Sequence, residues 1–138
     1  MKIGLLPLYI SLYDMIDRSY RNRFEPFYNA IAKMLEKREI EVLKSGFCME
    51  EDDFERAITY FEKEDCDAIV TLHIAYSPSL KSAEYLKNTK LPIIVCDTTE
   101  SEDFSDNQSP DEIMYCHGIH GVMDMCNLLK KNKKTYAI

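Results

Sequence analysis

Residues 66–74 read CDAIVTLHI. The stretch is apolar and β-branched almost without a break, and a Ser-Pro pair at 77–78 soon follows it. A strand with one wet face alternates apolar and polar residues. A continuous run marks a strand covered on both faces, as in parallel sheets. Two further segments share this character, KIGLLPLY at 2–9 and LPIIVCD at 91–97. The segment EIEVLKSG at 39–46 alternates and stops at Gly46, which predicts another strand, and Thr135–Ile138 begins a fifth.

Helical spacing fills the intervals. Asp14–Glu36 carries Phe24, Phe27, Ile31, Met34 and Leu35 on one face. Pro26 is expected near a helix start, because a first turn has no N–H to lose, leaving residues 13–23 as a short helix or ordered loop. Glu50–Glu64 turns Phe54, Ala57, Ile58 and Phe61 inward. Glu50 and Asp53 suit its amino terminus, and Asp65 and Asp67 suit the turn beyond it. Ser77–Asn88 and Cys116–Lys131 complete the helices, while the polar, acidic stretch Thr98–Asp111 reads as a mobile loop.

Parallel strands need crossover connections, and four helical segments between five strands supply them. Right-handed crossovers give a doubly wound, flavodoxin-like α/β fold with strand order 2-1-3-4-5 and helices on both faces. At 138 residues, the chain is expected to form a single domain, 1–138. It stops inside the fifth strand, before the helix that would cover it. We therefore expect a domain excised from a longer protein, a partner subunit being the other way to cover that face.

Composition excludes several classes. Hydrophobic residues are 46% and charged residues 30% of a chain with net charge −7. Such a chain is globular, and it lacks the basic face that would displace counterions from nucleic acid. Its apolar runs fall short of the roughly 18 residues of a membrane span, and no secretory leader is visible. The five cysteines are odd in number, without C-x-x-C spacing, and read as free thiols in a reducing cytosol.

Ligands of open α/β sheets bind beyond the carboxyl ends of the strands. The sequence places Tyr9 and Tyr13 there after the first strand, His73, Tyr76 and Ser77 after the third, and Asp97, Thr98 and Thr99 after the fourth. His117, Gly118, His120 and Gly121 precede the last helix. All three histidines share this edge. Tyr9, Tyr13 and Tyr76 would wall a pocket for a sugar ring or other small polar ligand.

The motif CHGIHG at 116–121 has several readings. Its glycines would let backbone approach a ligand at a helix amino terminus, with histidine donating a hydrogen bond or moving a proton. Alternatively, it is a helix cap with two satisfied histidines. Cys116, His117 and His120 form an incomplete metal set. His73 reads first as a core histidine bonded to a carbonyl, and Asp97 as a turn residue. No dinucleotide or P-loop glycine pattern is present.

Four segments, KIGLLPLY, DAIVTLHIAYSPS at 67–79, LPIIVCDTT at 91–99 and HGIHGVMDMCNLL at 117–129, together resemble the N-terminal domain of the L-fucose and L-arabinose isomerases. The resemblance extends across essentially the whole chain. It implies a flavodoxin-like domain of a metal-dependent aldose–ketose isomerase, with manganese the usual metal, held by the remaining domains of the same chain. It also implies a homo-oligomer in which this domain completes a neighbouring subunit's sugar site. His120 would reach the substrate there, His117 would be a nearby polar contact and Tyr76 an aromatic wall, with Leu8 and Tyr9 lining the same pocket. Leu6 and Cys116 depart from polar residues common in the family. The expected function is substrate contact and oligomerisation, with no catalytic residue, no metal ligand and no activity in this chain alone. The alternative is a stand-alone sugar-binding module without catalysis. A small independent hydrolase or isomerase using His117, His120 and Asp97 lacks an activated nucleophile.

Overall fold

The computed structural model describes residues 1–138 except Pro78 and Phe104. The strands are β1 (Lys2–Leu8), β2 (Glu41–Lys44), β3 (Ala68–His73), β4 (Ile93–Cys96) and β5 (Tyr136–Ala137). The helices are α1 (Ser11–Ile16), α2 (Tyr20–Glu36), α3 (Glu51–Lys63), α4 (Leu80–Asn88) and α5 (Ile119–Lys131), with a 3₁₀ helix at Pro110–Tyr115. The sheet order is β2-β1-β3-β4-β5 with every pairing parallel, as a flavodoxin-like fold requires. β1 and β3 pair from Ile3↔Ala68 to Leu8↔His73, and this central ladder aligns the strand ends that carry the polar edge.

Alternation along the buried strands divides the core in two. Leu6, Leu8, Ile69, Ile93 and Val95 face α3, α4 and α5 through Phe54, Phe61, Leu86, Met125 and Leu129. Ile3, Leu5, Val70 and Leu72 face α2 through Phe24, Tyr28 and Ala32. Each fully buried Leu or Phe contributes about 1.5–3 kcal/mol of transfer free energy. Tyr28 adds a polar tie, its hydroxyl lying 3.0 Å from both the Leu5 and Ser45 carbonyl oxygens. On the α2 side, cover thins toward β4, where Ile94 is 39% exposed.

Several local expectations are corrected. Pro26 lies inside α2, not near its start. It is on the exposed face, so the carbonyl four residues earlier, which loses its donor, can be solvated. The stretch from 98 does not stay irregular to Asp111, because Pro110 initiates the 3₁₀ helix and Ser109 caps it. Phe104, within that expected loop, and Pro78, in the Ser-Pro start expected for the helix at 77–88, lie outside the described residues.

Three helices end in the same way. Ile40, Cys66 and Lys134 each donate a backbone bond five residues back, to Leu35, Phe61 and Leu129. The residue before each, Glu39, Asp65 and Lys133, has positive φ. These are Schellman ends in which a charged residue occupies the left-handed position glycine usually fills. At the start of α3, the Asp53 carboxylate accepts from the Met49 and Glu50 N–H groups at 3.1 and 3.0 Å, the amino-terminal role expected for this acidic pair.

All five cysteines are free. Burial pushes the Cys48 thiol up to about 11 and raises those of Cys66, Cys96 and Cys126. Among the described residues, no helix is long and apolar enough to cross a membrane.

Candidate functional site

Three rings gather at the carboxyl edge of the sheet. The His117 and His120 centroids are 4.4 Å apart, edge to face at 83°. Tyr76 lies 5.8 Å from His117 with its ring tilted by 35°. Tyr76 follows β3, His117 precedes α5, and His120 is the second residue of α5. His120 is exposed, while His117 and Tyr76 are half-buried. The rings thus offer two imidazoles and one phenol to a ligand above the sheet edge, groups able to exchange hydrogen bonds with hydroxyls.

The support beneath them comes from the turn after β3. His73 is 1% exposed, and its Nδ1 shares a hydrogen bond of 3.0 Å with the Ser77 hydroxyl. The expected carbonyl partner is therefore replaced by a hydroxyl four residues on. His73 Nε2 is buried without a partner among the described residues. Burial lowers the His73 imidazole from 6.5 to about 4, so it is neutral at pH 7. Ser79 Oγ donates to the Gly121 carbonyl at 2.9 Å and ties the same turn to α5.

The glycines of the CHGIHG motif serve this packing. A β-carbon at 118 would stand 2.4 Å from the His73 carbonyl oxygen. One at 121 would stand 2.6 Å from His73 Nδ1 and 2.8 Å from the Ser77 carbonyl oxygen. The close approach that the sequence assigns to a ligand is made by the protein's own third strand and turn. α5 starts after Gly118 with no side-chain cap, so neither histidine acts as its N-cap.

The other expected pocket residues lie elsewhere. Leu8 is 0% exposed and packs toward α3, α4 and α5. Tyr9 is 1% exposed and belongs to the α2-side core, its ring against Tyr13, Phe24 and Phe47. The ladder runs on past β1 through a Leu8↔Cys48 bridge and a Tyr9 N–H bond to the Cys48 carbonyl, so Tyr9 keeps sheet register and points inward. Its hydroxyl has no partner among the described residues, and burial pushes it up to about 12. The expected Tyr9–Tyr13–Tyr76 wall thus resolves into two groups, with Tyr9 and Tyr13 in an aromatic cluster that includes Tyr20 and Tyr115. Leu6 is fully buried in the α3-side core. Asp97 is exposed at the end of β4.

Sequence reasoning missed the seat formed by His73, Ser77 and Ser79, although buried serines between a strand and a helix are the kind of residue that ties such a turn. It also missed the link from Arg21 to the Asp14 carboxylate and, at 3.3 Å, to Met49 Sδ. Among the described residues, no group of three or more His, Cys, Asp or Glu side chains could hold a metal ion. Cys116, His117 and His120 are not such a group, and the manganese that the resemblance implies is one it assigns to other domains.

No curated protein matches the chain. The family model of the fucose/sulfoquinovose isomerase N-terminal domain matches residues 15–138, which span both the His73 turn and the His117–His120 pair. The chain belongs to the fucose/sulfoquinovose isomerase N-terminal domain family.

Proposed function

We propose that this chain is the substrate-contact and oligomerisation domain of a metal-dependent aldose–ketose isomerase. Its His117, His120 and Tyr76 reach a sugar in the site of a neighbouring subunit, and the metal is carried by other domains. The reading rests on one observation above all. Two imidazoles and a phenol stand together on the sheet edge where α/β folds bind ligands, in a domain of a sugar-isomerase family. Imidazole nitrogens can exchange hydrogen bonds with hydroxyls, and each hydroxyl of a sugar both donates and accepts, so an adjacent pair of imidazoles suits neighbouring hydroxyls. The five free thiols suit a reducing cytosol.

The chain alone supplies no isomerisation in this reading, because proton transfer between C1 and C2 takes place beside the metal. L-fucose, sulfoquinovose and L-arabinose are the sugars to test first. The experiment is calorimetry and an isomerase assay on the 138-residue chain and on the complete gene product, with manganese present. Turnover in the complete product only, lost on His120→Ala while metal binding stays intact, supports the proposal. Tight sugar binding by the 138-residue chain alone favours the stand-alone binding module instead.

A further inference from the structure

The three rings share a relation to one buried residue. Tyr76 immediately precedes Ser77, His117 immediately precedes Gly118, and His120 immediately precedes Gly121. Ser77, Gly118 and Gly121 are the residues that close on His73. Ser77 shares its hydroxyl hydrogen bond with Nδ1, Gly118 meets the His73 carbonyl oxygen, and Gly121 meets Nδ1. Each ring of the candidate site is therefore one peptide unit from a contact with the same buried histidine.

We propose that His73 is a positioning residue, a single seat that fixes the mutual placement of Tyr76, His117 and His120. The Nδ1–Ser77 bond holds the turn that carries Tyr76. The bare faces of Gly118 and Gly121 press the start of α5 onto the same residue, so both elements are registered to β3 and through it to each other. His73 is rigidly placed for this role, being 1% exposed and the last residue of the strand paired with β1 from Ile3 to Leu8. A leucine in its place would fill similar volume but leave the Ser77 hydroxyl buried without its partner. An asparagine would return a polar atom close to the place of Nδ1. The inference deepens the sugar-contact reading and rests on it for its functional meaning, but its geometry stands without a sugar.

The test is side-chain NMR of the 138-residue chain, comparing the wild type with His73→Leu, Ser77→Ala and His73→Asn, with thermal unfolding followed in parallel. Ring-current shifts report how the three rings face one another. In folded His73→Leu and Ser77→Ala, the ring resonances of Tyr76, His117 and His120 move together while that of Tyr28 stays in place. In His73→Asn they return toward their wild-type positions. If both folded variants keep wild-type ring resonances, or if asparagine restores no more than leucine, the positioning role is overturned and His73 is a packing residue only. Should His73→Leu fail to fold, Ser77→Ala decides alone. Sugar titration of the complete gene product separates the two ideas. A seat that moves the rings in a protein no sugar perturbs leaves the positioning intact and sinks the sugar-contact reading.

Discussion

Gly121 lies directly against His73, so close that a β-carbon at 121 would be 2.6 Å from Nδ1 and 2.8 Å from the Ser77 carbonyl oxygen. The contact joins two segments 48 positions apart in the chain, and neither partner can retreat. His73 is held by β3 and Ser77 by the turn that follows. A methyl at 121 must therefore displace the start of α5. Gly121→Ala is expected to destabilise the domain by about 1–3 kcal/mol, the usual range for overpacking. Gly118→Ala, aimed at a backbone oxygen 2.4 Å away, should be at least as severe. Urea unfolding of the two variants checks both. Unchanged midpoints would mean that α5 slides freely over the strand end.

The buried His73 imidazole gives the domain an acid-sensitive element. It binds a proton at about 4 when folded and at 6.5 when free of burial. Below 6.5, the unfolded chain takes up that proton while the folded chain does not. Its contribution is thus complete above pH 6.5 and is lost as pH falls toward 4, by roughly 3 kcal/mol in total. The difference in unfolding free energy between wild type and His73→Asn, measured from pH 7.5 to 4, should shrink across that window. A constant difference would show that His73 is not held neutral.

Tyr28 ties α2 to β1 and to the residue that follows β2 with one hydroxyl. The oxygen is 3.0 Å from the Leu5 carbonyl and 3.0 Å from the Ser45 carbonyl, and its single proton can serve only one of them at a time. Burial also holds the phenol well above its ordinary range, so it remains a donor at any working pH. Tyr28→Phe keeps the ring against Phe47 and deletes only this bond. The expected loss is about 1 kcal/mol, read from denaturant unfolding.

The Schellman ends yield a prediction of opposite sign. Glu39, Asp65 and Lys133 hold φ of 62, 53 and 58°. A side chain in that region costs roughly 1–2 kcal/mol relative to glycine, offset in part by the extra freedom glycine gains on unfolding. Glu39→Gly and Lys133→Gly should each stabilise by up to about 1 kcal/mol, seen as a raised melting temperature. Lys133→Ala, which keeps the β-carbon, should gain nothing.

These same residues show where sequence reasoning ran out. The strands were legible because a doubly covered strand needs a continuous apolar run, and CDAIVTLHI at 66–74 leaves little room for another reading. Three helix ends fell within one residue of their expected places, but their left-handed caps were not marked, since the position that glycine would advertise is held by charged residues. Pro26 misled because the local rule for proline assumes a carbonyl that must be paired, and here it can be solvated. For the site, the sheet-edge rule brought His117, His120 and Tyr76 to one place. Leu8 and Tyr9 did not follow, because one extra ladder bond to Cys48 keeps Tyr9 in register and turns its ring into the core. Glycine spacing alone could not separate a ligand's approach from that of the protein's own third strand.

His120 separates the capping and ligand-facing readings of its motif. It is exposed on the first turn of α5, and that helix has no side-chain cap. Removing an exposed imidazole that caps nothing should leave stability within about 0.5 kcal/mol. A capping role would instead lower it by about 1 kcal/mol. In the complete gene product, His120→Ala should reduce isomerisation about tenfold or more, the usual worth of one lost hydrogen bond to the sugar, with manganese affinity unchanged because no ligand set lies here among the described residues. The decisive comparison places the melting temperature of the 138-residue variant beside the turnover of the full-length one. Preserved melting with lost turnover assigns His120 to the ligand. Lowered melting with preserved turnover returns it to the fold, and the sugar contact must then be sought at His117 and Tyr76.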